Sequence, residues 1–122
     1  MKELLLVCVG SFFGGGARYL VSKAVQSWLA VASFPWGTMA VNVLGCFLIG
    51  LLSGLSFGGQ ISPTTKLVLV TGFCGGFTTF STFMNENLLL SRDGAMLSAI
   101  LYTLASLALG LIAVIIGYQI VK

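Results

Sequence analysis

Four long apolar stretches, separated by short polar or turn-forming connectors, organise this chain. They cover residues 4–28, 36–57, 67–90 and 96–121. A helix needs about 20 predominantly apolar residues to cross ~30 Å of hydrocarbon, and each stretch is long enough. Apolar positions run continuously instead of alternating, so helices are expected and not barrel strands. The connectors carry turn chemistry. Pro35 opens the second span beside Trp36, at the level where interfacial tryptophans sit. FGGQISPTTK joins the second and third spans, and SRDGA joins the third and fourth. Gly10 and Gly14, Gly50 and Gly54, and Gly54 and Gly58 are each four residues apart, a spacing that lets helix backbones approach closely. The expected fold is an all-α membrane protein of four transmembrane helices in one domain, residues 1–122, with no low-complexity tail or soluble appendage.

Composition agrees. Hydrophobic residues make up 57% and charged residues 7% of the 122 residues. A soluble domain carries about 25% charged residues, so most of this surface is expected to meet lipid. The six Lys and Arg residues are spread along the chain and form no nucleic-acid footprint. There is no histidine, no adjacent acid pair and no nucleotide-binding loop, so an enzyme is not expected. Cys8, Cys46 and Cys74 lie in apolar runs and are expected to behave as buried small hydrophobes. AVAS at Ala30–Ser33 has the small residues of a cleavage site, but Arg18 and Lys23 interrupt the stretch before it, so the segment is expected to stay in the protein.

With four spans, Lys2, Lys66 and Lys122 fall on one side of the membrane and Arg18, Lys23 and Arg92 on the other. Orientation follows the side richer in Lys and Arg, and here neither side is richer. The chain is therefore expected to insert both ways up. An antiparallel homodimer would supply the walls that a thin four-helix bundle lacks.

The polar residues inside the spans are the candidate chemistry. Arg18 follows an apolar run too short to cross alone; it either snorkels to the boundary or guards an anion entrance. Thr38 and Asn42 share one face of the second span, and Tyr102 and Ser106 share one face of the fourth, with Thr103 beside them. These groups suit either interhelical hydrogen bonds or a polar rail through the bilayer. The third span contains TGFCGGFTTFSTFMNEN, residues 71–87. Its glycines and hydroxyls weaken a helix, so a break at its centre is expected. Freed carbonyls at such a break make a cation site. Phe80 and Phe83 lie on one face and either pack or turn positive ring edges toward an anion. Glu86 suits proton transfer, ion pairing or the water boundary. These features describe a small polytopic protein with a polar, broken-helix pathway and leave the permeant species open.

TGFCGGFTTFSTF, Asn42 in VNVLG and Arg18 in GGGARYL closely resemble the Fluc (CrcB) fluoride channels of bacteria, in order and over essentially the whole chain. The resemblance implies an antiparallel, dual-topology homodimer in the bacterial plasma (inner) membrane, carrying fluoride passively through two pores and limiting fluoride toxicity in the cell. It implies a structural sodium ion, not transported, held at the dimer centre by the backbone carbonyls of Gly75 and Thr78. It places Asn42, Phe80, Ser81, Thr82, Phe83, Tyr102 and Ser106 along the fluoride pore and Arg18 in the vestibule. Thr38 and Glu86 are further candidates. The expected partners are fluoride, a second copy of the chain and the lipid bilayer, without nucleic acid. The rival expectation is a small dual-topology drug/proton antiporter, which would need an acid within the first span; that span has only Glu3, at its tip.

Overall fold

In the computed structural model, which describes residues 1–29 and 34–121, every regular element is helical. The AVAS stretch Ala30–Ser33 and Lys122 lie outside the described residues. Helix α1 spans Lys2–Trp28 and α2 spans Trp36–Phe57. The third apolar stretch is built from α3 (Pro63–Lys66), a π-helical segment (Leu67–Cys74), α4 (Gly75–Phe77) and α5 (Ser81–Arg92). Helix α6 spans Met96–Val121. Four helical units are long and apolar enough to cross a membrane: Lys2–Trp28, Trp36–Phe57, Pro63–Arg92 and Met96–Val121. Large apolar side chains such as Leu4, Phe12, Leu104 and Leu111 point outward along α1 and α6, as a lipid-facing surface requires. The chain is a multi-pass membrane protein.

Local chemistry sets the element ends. The Ser62 hydroxyl accepts the Thr65 amide at 3.1 Å, and Pro63 occupies the first helical position, so α3 starts there. Gly59 (φ +74°) and Gly94 (φ +78°) turn the chain after α2 and α5 in a conformation other residues rarely adopt. The start of α1 lies beside Pro63–Leu67, whereas Ser22 and Gln26 near its end lie beside Pro35 and Asp93. The connectors thus alternate between two ends of the bundle.

Packing pairs α1 with the π segment and α2 with α6. Glycines make both approaches close. A β-carbon at Gly10 or Gly14 would strike the carbonyl oxygen of Val68 or Phe73, and one at Gly50 or Gly117 would strike that of Val114 or Phe47. Gly54 packs on Val121 and Tyr118 of α6. Gly58 departs from that pattern: it caps α2, its amide bonding to Gly54 O at 3.1 Å, and faces no other helix. The buried cluster between α2, α5 and α6 is Met39, Phe83, Leu90, Ala99 and Tyr102. Of the cysteines, Cys74 is buried and Cys46 partly so, but Cys8 is exposed on α1. An apolar thiol is as acceptable against lipid as in a core, so the apolar run did not distinguish the two.

Candidate functional site

The hydrogen bonds around residues 74–82 are routed unlike those of a continuous helix. Thr78 still closes a turn: its amide (3.0 Å) and its hydroxyl (2.9 Å) both donate to the Cys74 carbonyl. Its backbone is extended, φ −94° and ψ 162°; helical angles resume at Phe80 (φ −91°, ψ −38°), and α5 begins at Ser81. The Thr79 amide, which in a helix would donate to the Gly75 carbonyl, instead donates to Asn42 Oδ1 at 2.8 Å. Asn42 Nδ2 in turn donates to the Thr79 carbonyl at 3.0 Å. Arg18 Nε donates to the Gly76 carbonyl at 2.9 Å. The Thr82 amide, the natural partner of the Thr78 carbonyl, donates to Thr79 Oγ1 at 3.2 Å. Side chains therefore serve Gly76 and Thr79, while Gly75 and Thr78 lose their helical donors. Hydroxyls and an amide can compete with the helical ladder in this way because each offers the backbone a local alternative.

Two cavities flank the interruption. One, of about 580 Å³, is lined by Arg18, Lys23, Gln26, Thr38, Thr79 and Thr82. The other, of about 430 Å³, gathers Asn42, Gly75, Thr78, Phe80, Phe83 and Ser106. Thr79 lines both. Gly75 is exposed, and a β-carbon there would meet nothing nearer than the Val70 carbonyl oxygen at 3.9 Å, so its side of the second cavity is open. Ser106 Oγ is buried and has no hydrogen-bond partner among the described residues.

Glu86 sits behind this wall. Its carboxylate accepts the Thr38 hydroxyl at 2.9 Å and the Tyr102 hydroxyl at 2.8 Å. Tyr102 is 0% exposed and Thr38 is 4% exposed, so Glu86 is the acceptor for two deeply buried donors. A buried donor left without an acceptor costs about 1–3 kcal/mol. Glu86→Ala is therefore expected to lower the stability of the solubilised protein by about 3 kcal/mol. Glu86→Gln, which keeps one acceptor oxygen, is expected to recover part of that loss. Thermal unfolding of both variants checks the order, and equal melting temperatures for Glu86→Ala and the parent would remove this role. A second tie joins the same helices: Thr103 Oγ1 donates to Asn87 Oδ1 at 2.9 Å, and Asn87 Nδ2 donates to the Phe83 carbonyl at 3.0 Å.

The structure thus gathers Asn42, Gly75, Thr78, Phe80, Phe83 and Ser106 around one cavity and Arg18, Thr38 and Thr82 around the other. Ser81 is exposed at the first turn of α5. Phe80 faces outward, 72% exposed, whereas Phe83 is packed in the core against Tyr102, ring centroids 4.9 Å apart. Tyr102 and Glu86 are joined to each other, with the Tyr102 hydroxyl hydrogen committed to the carboxylate. Thr79 was missed from sequence, although it touches both cavities and caps α5. Its signal was the spacing Thr79-x-x-Thr82 just after the glycine pair, which suits a helix N-cap. Gln26 was missed too: its side chain spans the Phe34 carbonyl (3.1 Å) and the Gly37 amide (3.0 Å), tying the end of α1 to the start of α2.

Comparison with known proteins bears on this arrangement directly. The model of the family described as "CrcB-like protein, Camphor Resistance (CrcB)" matches residues 5–118. A protein of Chlorobium chlorochromatii named fluoride-specific ion channel FluC is 52% identical over 94% of this chain and 88% of its own length. A protein of Chlorobaculum tepidum with the same name is 50% identical over 100% of this chain and 96% of its own length. One of Thermus thermophilus, again so named, is 44% identical over 98% of this chain and 95% of its own length. The matched residues contain Arg18, Asn42 and the whole interruption of the third span, and the chain belongs to the CrcB family.

Proposed function

We propose that this chain is a fluoride-selective channel of the bacterial plasma membrane. It works as an antiparallel, dual-topology homodimer around a structural sodium ion and lets fluoride leave the cell passively. The observation that carries this reading is the diversion of the Thr79 and Thr82 amides, which leaves the Gly75 and Thr78 carbonyls without their helical donors beside an open cavity. Unpaired carbonyls at membrane depth need a partner. Carbonyl oxygens are hard donors suited to a hard cation, and two from each of two protomers would face each other across a dimer axis. When bound, sodium supplies positive charge at the centre of the protein.

The two sides of the interruption carry opposite partial charges. The helical run ending at Phe77 presents carbonyls and favours a cation. Helix α5 begins at Ser81 with amides and favours an anion. Phe80, Ser81, Thr82 and Phe83 lie at that second end, with Asn42 and Ser106 across the cavity. Fluoride is small and strongly hydrated, so its dehydration requires substitute donors. Ser106 Oγ, buried and unpartnered, and the second Nδ2 hydrogen of Asn42 are available for that purpose. Tyr102 stands behind the pathway and Thr38 at the wall of the larger cavity, both with their hydroxyls on Glu86. Arg18 and Lys23 make the larger cavity cationic, as a vestibule for an anion would be. The even division of cations, Lys2, Lys66 and Lys122 against Arg18, Lys23 and Arg92, supports insertion in both orientations. The antiporter reading lacks its acid: Glu3 is exposed at the first turn of α1, 3.7 Å from the terminal ammonium.

Fluoride efflux from proteoliposomes, with chloride as the control anion, tests the reading. Rapid fluoride loss with chloride retained is the expected result. Equal fluxes, or none, would overturn it.

A further inference from the structure

We propose that Asn42 is the positioning residue that keeps the cation site open, holding the Thr79 peptide out of the helix so that the Gly75 carbonyl stays free. The inference rests on the sodium reading above and adds to it a side chain that does not touch the cation. Asn42 uses both ends of its amide on one peptide: Oδ1 accepts the Thr79 amide at 2.8 Å and Nδ2 donates to the Thr79 carbonyl at 3.0 Å. A primary amide presents an N–H donor and a carbonyl acceptor side by side in one plane, so it can replace the partners that a neighbouring strand would offer an extended peptide. Without it, the nearest acceptor for the Thr79 amide along a helix is the Gly75 carbonyl.

Helix α2 seats the neighbouring residue as well. One turn on from Asn42, a β-carbon at Gly45 would collide with the Thr78 methyl group, so Thr78 lies flat on the glycine. On the other side, the Thr78 amide and hydroxyl are both held by the Cys74 carbonyl. Thr78 is fixed from two directions, and the Thr79 peptide has the Asn42 amide as its side-chain clamp. Removing the amide of Asn42 would let the Thr79 amide return to Gly75, and a cation would then compete with a backbone hydrogen bond for the same oxygen.

Sodium-dependent stability tests this. The full chain is purified and its thermal unfolding midpoint measured while Na⁺ replaces N-methylglucamine at constant ionic strength. In the parent protein the midpoint is flat at low Na⁺ and rises with the logarithm of the Na⁺ concentration above the dissociation constant, as binding to the folded state demands. In Asn42→Ala, and in Asn42→Ser should the alanine variant not fold, the rise is expected to set in at an Na⁺ concentration about fivefold higher, the factor that a net backbone hydrogen bond corresponds to. A merely structural Asn42 would lower the midpoint about equally at every Na⁺ concentration and leave the onset of the rise unchanged; that result overturns the inference and spares the sodium site. A parent protein whose midpoint ignores Na⁺ would overturn the sodium site and this inference together.

Discussion

Gly14→Ala is expected to cost about 3 kcal/mol of stability, whereas Gly16→Ala, two residues along the same helix, is expected to add about 0.5–1 kcal/mol. The chemistry of the substitution is identical, and the surroundings decide its sign. A β-carbon on Gly14 would run into the Phe73 carbonyl oxygen, with Phe73 C and Cα at 3.0 and 3.1 Å. All three are backbone atoms, so no rotamer change relieves the contact, and α1 must move away from the π segment. That shift would also draw Gly10 off Val68 and Gly72 and disturb the Arg18 bond to Gly76. Around Gly16 nothing lies within 4 Å, so alanine there brings only its higher helix propensity. Thermal unfolding of the two purified variants checks the prediction. Equal or same-signed shifts would mean that α1 and the third span do not meet through Gly14.

The four helices were legible because lipid imposes one rule on long stretches of chain: a spanning segment must be apolar and must satisfy its own backbone. The disturbance in the third span was legible for the opposite reason, since glycines and hydroxyls at residues 72–82 are poor material for a continuous helix. What the chain did not disclose is which group receives each freed bond. Asn42 and Thr79 are 37 residues apart, and Arg18 and Gly76 are 58 apart. A polar residue inside a span announces that it needs a partner without naming it. Thr38 shows the limit well. Its one-turn spacing from Asn42 implied a shared task, yet Thr38 donates to Glu86 while Asn42 grips Thr79.

The two phenylalanines were harder still. Their spacing of three puts them on one face of an ideal helix, but Phe80 belongs to the interruption and only Phe83 to α5. Their environments differ accordingly: one ring faces outward and the other is wedged between α2 and α6. The π-helical winding of Leu67–Cys74 has no signature in the apolar run that we recognise, because its side chains suit an α-helix equally well.

Phe80→Ile is expected to lower fluoride efflux about two- to tenfold while leaving dimer assembly intact. Phe80 is 72% exposed and its ring meets Phe83 edge-on, centroids 6.2 Å apart with planes at 63°. Phe83 is itself anchored by Tyr102 at 4.9 Å and 72°, so the pair is held at its inner end and free at its outer one. The outer ring can therefore turn a positive edge toward an anion at the start of α5. Isoleucine keeps comparable bulk but has no quadrupole, and an aromatic-edge interaction of about 0.5–1.5 kcal/mol corresponds to about a two- to tenfold change in rate. Since Phe80 contributes little to the protomer core, size-exclusion and melting behaviour should stay near those of the parent. Phe83→Ile separates the two positions. Phe83 is 6% exposed, and shrinking it opens a gap against Tyr102, so stability and flux should fall together. Unchanged efflux in Phe80→Ile would take that ring out of the pathway, whatever Phe83→Ile does.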